Sequence, residues 1–396
     1  MKTTQTFLPY AKPDIGQDEV DAVTQCLLSG WLTTGQQCNI FEEEFARLLG
    51  DGVMCVAVNS ATAGLHLALE ALGVSEGDEV ITTVHTFTAT AEVVRYLGAN
   101  PVFVDADPTT LCIDVNAIES KITNKTKVIL PVHFGGLAAE MGAIQELAKR
   151  YQLHVVEDAA HSLPTTYQGT KIGNLATDAT IFSFYANKTM TTGEGGMLAT
   201  KDRKLYERAK LMRLHGMNKV AHDRYASRAP AWYYEVVAPG FKYNLTDLAA
   251  AIGLQQLKKL NAMHQRRVEI ASMYNELLAD CPLMLPVGPR DGDIHSWHLY
   301  VIRLKEGGES LRNKLVEAMF AEGIGASVHY IPLHMQPYWR DTYNLKATDF
   351  PSSQTAYESS VSLPIYNLMT DEDVFRVVNV LRTFFSLRNV EEPESL

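Results

Sequence analysis

No apolar run in this chain approaches the roughly 18 residues that a membrane-spanning helix needs, so no span is expected. Cysteine is scarce: Cys26, Cys38, Cys55, Cys112 and Cys281 are scattered, odd in number and free of C-x-x-C spacing. That excludes a disulfide framework and a zinc cluster, and it points to a reducing, cytoplasmic compartment. Positive charge is also short, with 35 Lys plus Arg against 46 Asp plus Glu and a net charge of -11. Such a balance repels phosphate backbones and anionic lipid, so neither nucleic acid nor a membrane surface is expected as a partner. The first sixteen residues, MKTTQTFLPYAKPDIG, contain no apolar core of the secretory kind, so no leader is expected. Neither G-x-x-x-x-G-K-[ST] nor G-x-G-x-x-G occurs, which removes the nucleotide P-loop and the dinucleotide fingerprint. No internal repeat or low-complexity segment is visible.

What is present is ordinary globular material, 46% apolar and 20% charged over 396 residues, enough for a large domain and a smaller one. From about residue 53 to 200, short β-branched runs alternate with helical stretches. The runs begin at Val53, Val80, Pro101, Lys127, His154 and Thr180, with a late and antiparallel candidate at Gly196–Thr200. This alternation predicts an α/β fold on a mainly parallel seven-stranded sheet. Leu245 to Leu277 has helical spacing without Gly or Pro after Gly253, which predicts a long linking helix. The expected division is therefore 1–250 as the large α/β domain with an N-terminal arm, and 251–396 as a smaller α+β domain that includes the linking helix. In the smaller domain a strand is expected at His298–Leu304 and helices at Leu311–Glu322 and Asp371–Phe385. The acidic end, Asn389–Leu396, is expected to fray.

In open α/β sheets, ligands collect beyond the carboxyl ends of the strands. Four places there carry chemistry. Asn59-Ser60-Ala61-Thr62-Ala63-Gly64 joins a strand to a helix, where free N–H groups suit an anion; the same residues also suit a plain N-cap. Asp158 ends an apolar strand and precedes His161, and a buried carboxylate needs a cationic partner unless it merely caps the next turn. Lys188 lies in a polar loop ahead of Gly193, Gly195 and Gly196; in a dry pocket it can shed its proton and attack carbonyls, though most loop lysines are simply solvated. His295, His298, His329 and His334 have no carboxylate or cysteine set to complete a metal site, so structural or substrate-contacting roles are expected and no metal is.

These residues occur in an order that resembles the pyridoxal phosphate enzymes of fold type I. More narrowly, six blocks resemble the DegT/StrS-type sugar-nucleotide aminotransferases across nearly the whole chain. They are Ser29–Gly35, Ser60–His66, Gly77–Thr82, Glu157–Ser162, the Lys188 segment and Gly240–Asp247. The resemblance implies that Lys188 tethers pyridoxal 5'-phosphate and then shuttles protons, and that Asp158 pairs with the protonated ring nitrogen. It further implies that Phe87 stacks on the ring, that His161 meets the ring hydroxyl, and that Ala61, Thr62 and Ser183 surround the phosphate. Asn244 is implied to reach that phosphate from a second subunit, which makes the active species a homodimer.

The implied reaction moves an amino group from L-glutamate to a keto-sugar on a nucleoside diphosphate, with Trp31, His329 and His334 in substrate-facing segments. The stretch Val236–Asp247 resembles enzymes that make UDP-4-amino-4-deoxy-L-arabinose, which favours a 4-keto sugar and a role in lipopolysaccharide, O-antigen or other polysaccharide biosynthesis. Gly193–Gly196 and His329–His334 resemble other branches as much. A 3-keto-sugar aminotransferase and a non-catalytic sensor or scaffold on the same fold are the alternatives.

Overall fold

The computed structural model describes residues 6–218 and 232–391. Its centre is a seven-stranded sheet of β1 (Met54–Val58), β2 (Glu79–Thr83), β3 (Asn100–Val104), β4 (Thr126–Leu130), β5 (His154–Asp158), β8 (Ala179–Ser183) and β9 (Gly196–Thr200). A two-strand hairpin, β6 (Thr166–Tyr167) and β7 (Thr170–Lys171), stands apart from it. The spatial order is β1-β9-β8-β5-β4-β2-β3. The strands read as unbroken apolar runs because both faces are covered: Val56, Ala57, Val80, Ile81, Ile129 and Val156 are fully buried. Only β9 runs antiparallel to its neighbours, β1 and β8. The segment from Phe184 to Gly195 contains no crossover helix, and a chain that returns without one must pair antiparallel. That same return loop carries Lys188.

The helix Ala61–Ala71 starts directly after β1, and the Ser60 hydroxyl caps it by accepting the Ala63 N–H at 3.1 Å. Gly64 lets the helix lie against the sheet, since a Cβ there would sit 3.0 Å from Ile181.

A second antiparallel sheet contains β10 (Leu283–Met284), β11 (Tyr300–Leu304) and β12 (Ser360–Leu363). The long helix begins at Asp247, after Asn244 has bridged Val58 in extended backbone, and runs to Leu277. It belongs to both cores: Ala250, Leu260 and Met263 pack beneath the large sheet, and Ile270, Ala271 and Tyr274 pack with the small one. Leu8 also joins the second core, held by backbone bonds to Gly323 and Gly325. Asp247 has a further task, since its carboxylate accepts the N–H groups of Gly35, Gln37 and Cys38 and so caps the helix Gln36–Leu49.

The helix Gly308–Ala321 and the helix Asp371–Glu391 match expectation closely, although the latter continues past Phe385. Residues 389–391 extend it rather than fray, and the rest of the expected frayed end, 392–396, lies outside the described residues. All five cysteines are buried and unpaired. Among the described residues no helix is long and apolar enough to cross a membrane, and no group of three or more His, Cys, Asp or Glu could hold a metal ion.

Candidate active site

At the carboxyl ends of β1, β5 and β8 the sheet opens into a cavity of about 510 Å³. Its walls bring together Ala61, Thr62, Phe87, Asp158, His161, Ser183 and Lys188, seven positions scattered over more than a hundred residues of sequence, together with His329. The strand order accounts for this meeting, because β5 and β8 are neighbours and β9 returns between β8 and β1.

One wall is the start of the helix Ala61–Ala71. Ser60 satisfies the N–H of Ala63, while the N–H groups of Ala61 and Thr62 belong to a first turn, which has no acceptors of its own helix. Gly196 pairs with Val58 on one side and Ser183 on the other. A Cβ at Gly196 would lie 2.7–2.8 Å from the backbone of Ser60 and Ala61, so only glycine lets β9 approach the helix start this closely. Ser183 Oγ accepts the Tyr185 N–H at 3.3 Å, which leaves its own proton to donate. Backbone N–H groups, a hydroxyl and the positive end of a helix dipole make this corner an anion cradle.

The opposite wall carries Asp158. Its Oδ2 accepts the Thr90 hydroxyl at 2.8 Å and its Oδ1 accepts the Ala160 N–H at 3.1 Å. Burial pushes its carboxyl above the usual range, against the opposing pull of these two bonds, Lys188 and His133. Lys188 is pulled the other way, down to about 8, because burial disfavours its charge more than Asp158 favours it, and Arg267 adds repulsion. Such an amine gives up its proton near neutral pH far more readily than an ordinary lysine does. Its side chain contacts His298 Nε2 at 3.4 Å.

His161 is held at both ring nitrogens: Nδ1 accepts the Gly135 N–H at 3.3 Å, so the proton of the uncharged ring sits on Nε2 and is donated to the Tyr330 hydroxyl at 3.0 Å. Burial and the nearby Lys188 keep its imidazole uncharged, well below its normal range. Phe87 lines the mouth with 58% of its surface exposed and its ring 6.0 Å from that of Tyr330. His329 is fixed by Ser362 Oγ at 2.8 Å and by stacking on Tyr10 at 5.5 Å, and burial lowers its imidazole to about 4.

Trp31 and His334 do not line this cavity, and Asn244, expected to serve a second subunit, does not line that of its own chain. His334 is buried elsewhere, bonded to Gln354 at 2.8 Å and stacked on Phe350 at 5.3 Å. Trp31 lies over Gly35, its indole N–H reaching the Thr34 carbonyl at 3.3 Å. Asn244 donates to the Thr34 hydroxyl at 2.6 Å and is bonded to Lys242. Conversely, Thr90, Tyr330 and the Lys188 contact of His298 went unread. Threonine near a helix start signals a cap, and nothing in the sequence says that it faces a strand end 68 positions away.

The donor set fits pyridoxal phosphate. There is a cradle for a phosphate, a buried carboxylate whose raised carboxyl calls for a cation, and a buried amine that is readily uncharged between them.

Comparison with known proteins agrees. The chain is 46% identical to the spore coat polysaccharide biosynthesis protein SpsC of Bacillus subtilis over 95% of this chain and 96% of that one. Among solved structures, the putative sugar aminotransferase Spr1654 of Streptococcus pneumoniae in its PLP form superimposes with a TM-score of 0.89 at 30% identity, covering 96% of this chain and 99% of the other. PseC of Helicobacter pylori, an aminotransferase in pseudoaminic acid biosynthesis, superimposes with a TM-score of 0.88 at 31% identity, covering 96% and 100%. The profile of one family matches residues 13–382, from the N-terminal arm into the last helix, and by that match the chain belongs to the DegT/DnrJ/EryC1/StrS aminotransferase family.

Proposed function

We propose that this aminotransferase uses pyridoxal 5'-phosphate to move an amino group from L-glutamate to a 4-keto sugar on a nucleoside diphosphate, in the cytoplasm, for surface polysaccharide or lipopolysaccharide assembly. The observation that carries the reading is the shared cavity of Lys188, Asp158 and the free N-terminus of the helix Ala61–Ala71. Bound there, the cofactor supplies a carbonyl that condenses with amines and a cationic ring that draws electrons from the substrate carbon.

The chain's own residues do the rest. Ala61 and Thr62 N–H groups and the Ser183 hydroxyl hold the phosphate. Asp158, ionised once a cation faces it, keeps the ring nitrogen protonated, and Thr90 and Ala160 keep that carboxylate aimed. Lys188 forms the covalent tether. Once released from the tether, its uncharged nitrogen would act as the base and acid that moves the substrate's proton. His161, uncharged and positioned by Gly135 and Tyr330, meets the ring hydroxyl, and Phe87 covers the ring face. His329, which lines the cavity, would meet the substrate.

The site is completed by a second copy of the chain. Asn244 does not line the cavity of its own chain, and Leu28, Trp232, Val236 and Val237 expose 76%, 76%, 61% and 59% of their surface, apolar side chains of the kind that a homodimer would cover. Trp31 contacts are assigned to that assembled site. His334 serves by holding the loop through Gln354 and Phe350 rather than by touching substrate.

The deciding experiment incubates the enzyme with glutamate and a panel of 4-keto and 3-keto nucleotide sugars and reads the products by mass. Amination of 4-keto sugars is the expected result. Conversion of 3-keto sugars alone contradicts the positional assignment.

A further inference from the structure

His298 reaches Lys188 from the segment that leads into the small sheet. It lies just ahead of β11 in the small sheet, 5% exposed, and its Nε2 is 3.4 Å from Lys188 Nζ. This is the only side-chain hydrogen bond of Lys188 among the described residues. The ring has little freedom, since it lies 4.3 Å from that of His161, itself bonded on both nitrogens. The backbone behind it is pinned by the buried Arg267, whose Nη1 donates to the carbonyls of Trp297, His298 and Ile365 at 3.1, 3.4 and 2.9 Å.

The other ring nitrogen is informative. His298 Nδ1 is buried and has no partner. A stranded lone pair is tolerated more often than a stranded N–H, so we assign the ring proton to Nε2. Nε2–H then donates to Lys188, and only an uncharged amine has a lone pair to accept it. To bond an ammonium instead, the imidazole would have to move its proton to Nδ1 and bury that N–H without a partner.

We propose that His298 is a positioning residue that holds the free Lys188 amine in place as an uncharged base. The inference rests on the reaction proposed above, since it concerns the part of the cycle in which Lys188 is not covalently engaged. Other groups act on the same amine. Asp158 at the end of β5 favours its charge, and Arg267 on the long helix opposes it. His161 and His329 are kept uncharged by burial, with Lys188 opposing their protonation. Tyr185, Glu194 and Tyr330 complete the wall. His298 differs from all of these in touching the nitrogen itself.

The test compares wild type with His298→Met and His298→Leu in the holoenzyme. Glutamate first converts the cofactor to its amine form, which frees Lys188. The rate of reductive methylation of Lys188 is then followed against pH by peptide mass, alongside the pH profiles of kcat and of KM for glutamate. Loss of one hydrogen bond that favours the uncharged amine should move the acidic limb of both profiles up by about half a pH unit or more, with KM nearly unchanged. The methionine side chain retains bulk but has no N–H to donate, so that variant reads the effect even if His298→Leu folds poorly. Coincident limbs in wild type and the methionine variant overturn the inference. A wild-type protein whose Lys188 is never engaged by the cofactor would instead overturn the proposed reaction, and peptide mapping separates the two outcomes.

Discussion

The Thr90 hydroxyl lies 2.8 Å from Asp158 Oδ2 and 2.8 Å from the Thr86 hydroxyl, so the first turn of the helix Ala89–Tyr96 ties down the strand-end carboxylate. A hydrogen bond to a charged acceptor contributes more than a neutral one, about 1.5–3 kcal/mol. Thr90→Val should therefore weaken cofactor binding or turnover by roughly tenfold to a hundredfold. Thr90→Ser keeps the hydroxyl and should restore most of the loss. Cofactor titration and kcat read the effect, and an unaffected valine variant would remove Thr90 from the account.

Asp158→Asn separates activity from stability. Removing the charge that faces the ring nitrogen should lower kcat by at least about a hundredfold, the scale on which preorganised electrostatic groups act. The stability of the cofactor-free protein should move the other way. Burial raises the folded-state carboxyl above its unfolded value, so the folded state binds more protons between the two values. Stability therefore falls as pH rises through that window, and the penalty is fully present above it. The asparagine variant lacks the penalty, so it should melt higher than wild type at pH 8 and lose that advantage in acid. A lower melting temperature at pH 8 would contradict this reading.

Gly196→Val tests the phosphate cradle. Side-chain atoms at that position collide with the Ser60–Ala61 backbone and push β9 from the helix start, so cofactor affinity should fall by tenfold or more. Spectral titration against the phosphate-free cofactor distinguishes the causes: the loss should be large for pyridoxal phosphate and small for pyridoxal.

The pair Glu42–Arg213 supports the same corner from behind. Arg213 is 1% exposed and Glu42 6%, and they clamp Ala57 of β1 by its carbonyl and its N–H, at 2.8 and 2.9 Å respectively. Glu42→Leu strands a buried guanidinium and should cost about 3–5 kcal/mol, readable as a lower midpoint in urea. Adding Arg213→Met should recover much of that loss.

Most of the large sheet was legible in the sequence because a doubly covered strand leaves a continuous apolar trace. The antiparallel course of Gly196–Thr200 was legible too, since no helical segment lies between it and the strand before. The strand Ser360–Leu363 was not, because its pattern S-V-S-L is short and half serine, and only pairing with Tyr300–Leu304 makes it a strand. The site shows the same division. Lys188, Asp158 and the turn at Ser60 are visible by type and by their place after strands, but only the resemblance across six blocks sets Lys188 apart from a solvated loop lysine and the turn from a plain cap. Thr90, Tyr330 and His298 act only through approach in space, and the hydrogen bonds they make span 68, 169 and 110 residues of chain. His334 shows the converse: its segment looks substrate-facing, while its own side chain turns into a pocket formed by Phe350 and Gln354.

The central claim is that Lys188 carries the cofactor. Purified protein supplied with pyridoxal phosphate should be yellow, lose the band on treatment with borohydride, and yield one modified peptide bearing the cofactor on Lys188. Lys188→Ala should show no such band and no such peptide. A yellow Lys188→Ala protein, or a reduced label on another lysine, would contradict the account.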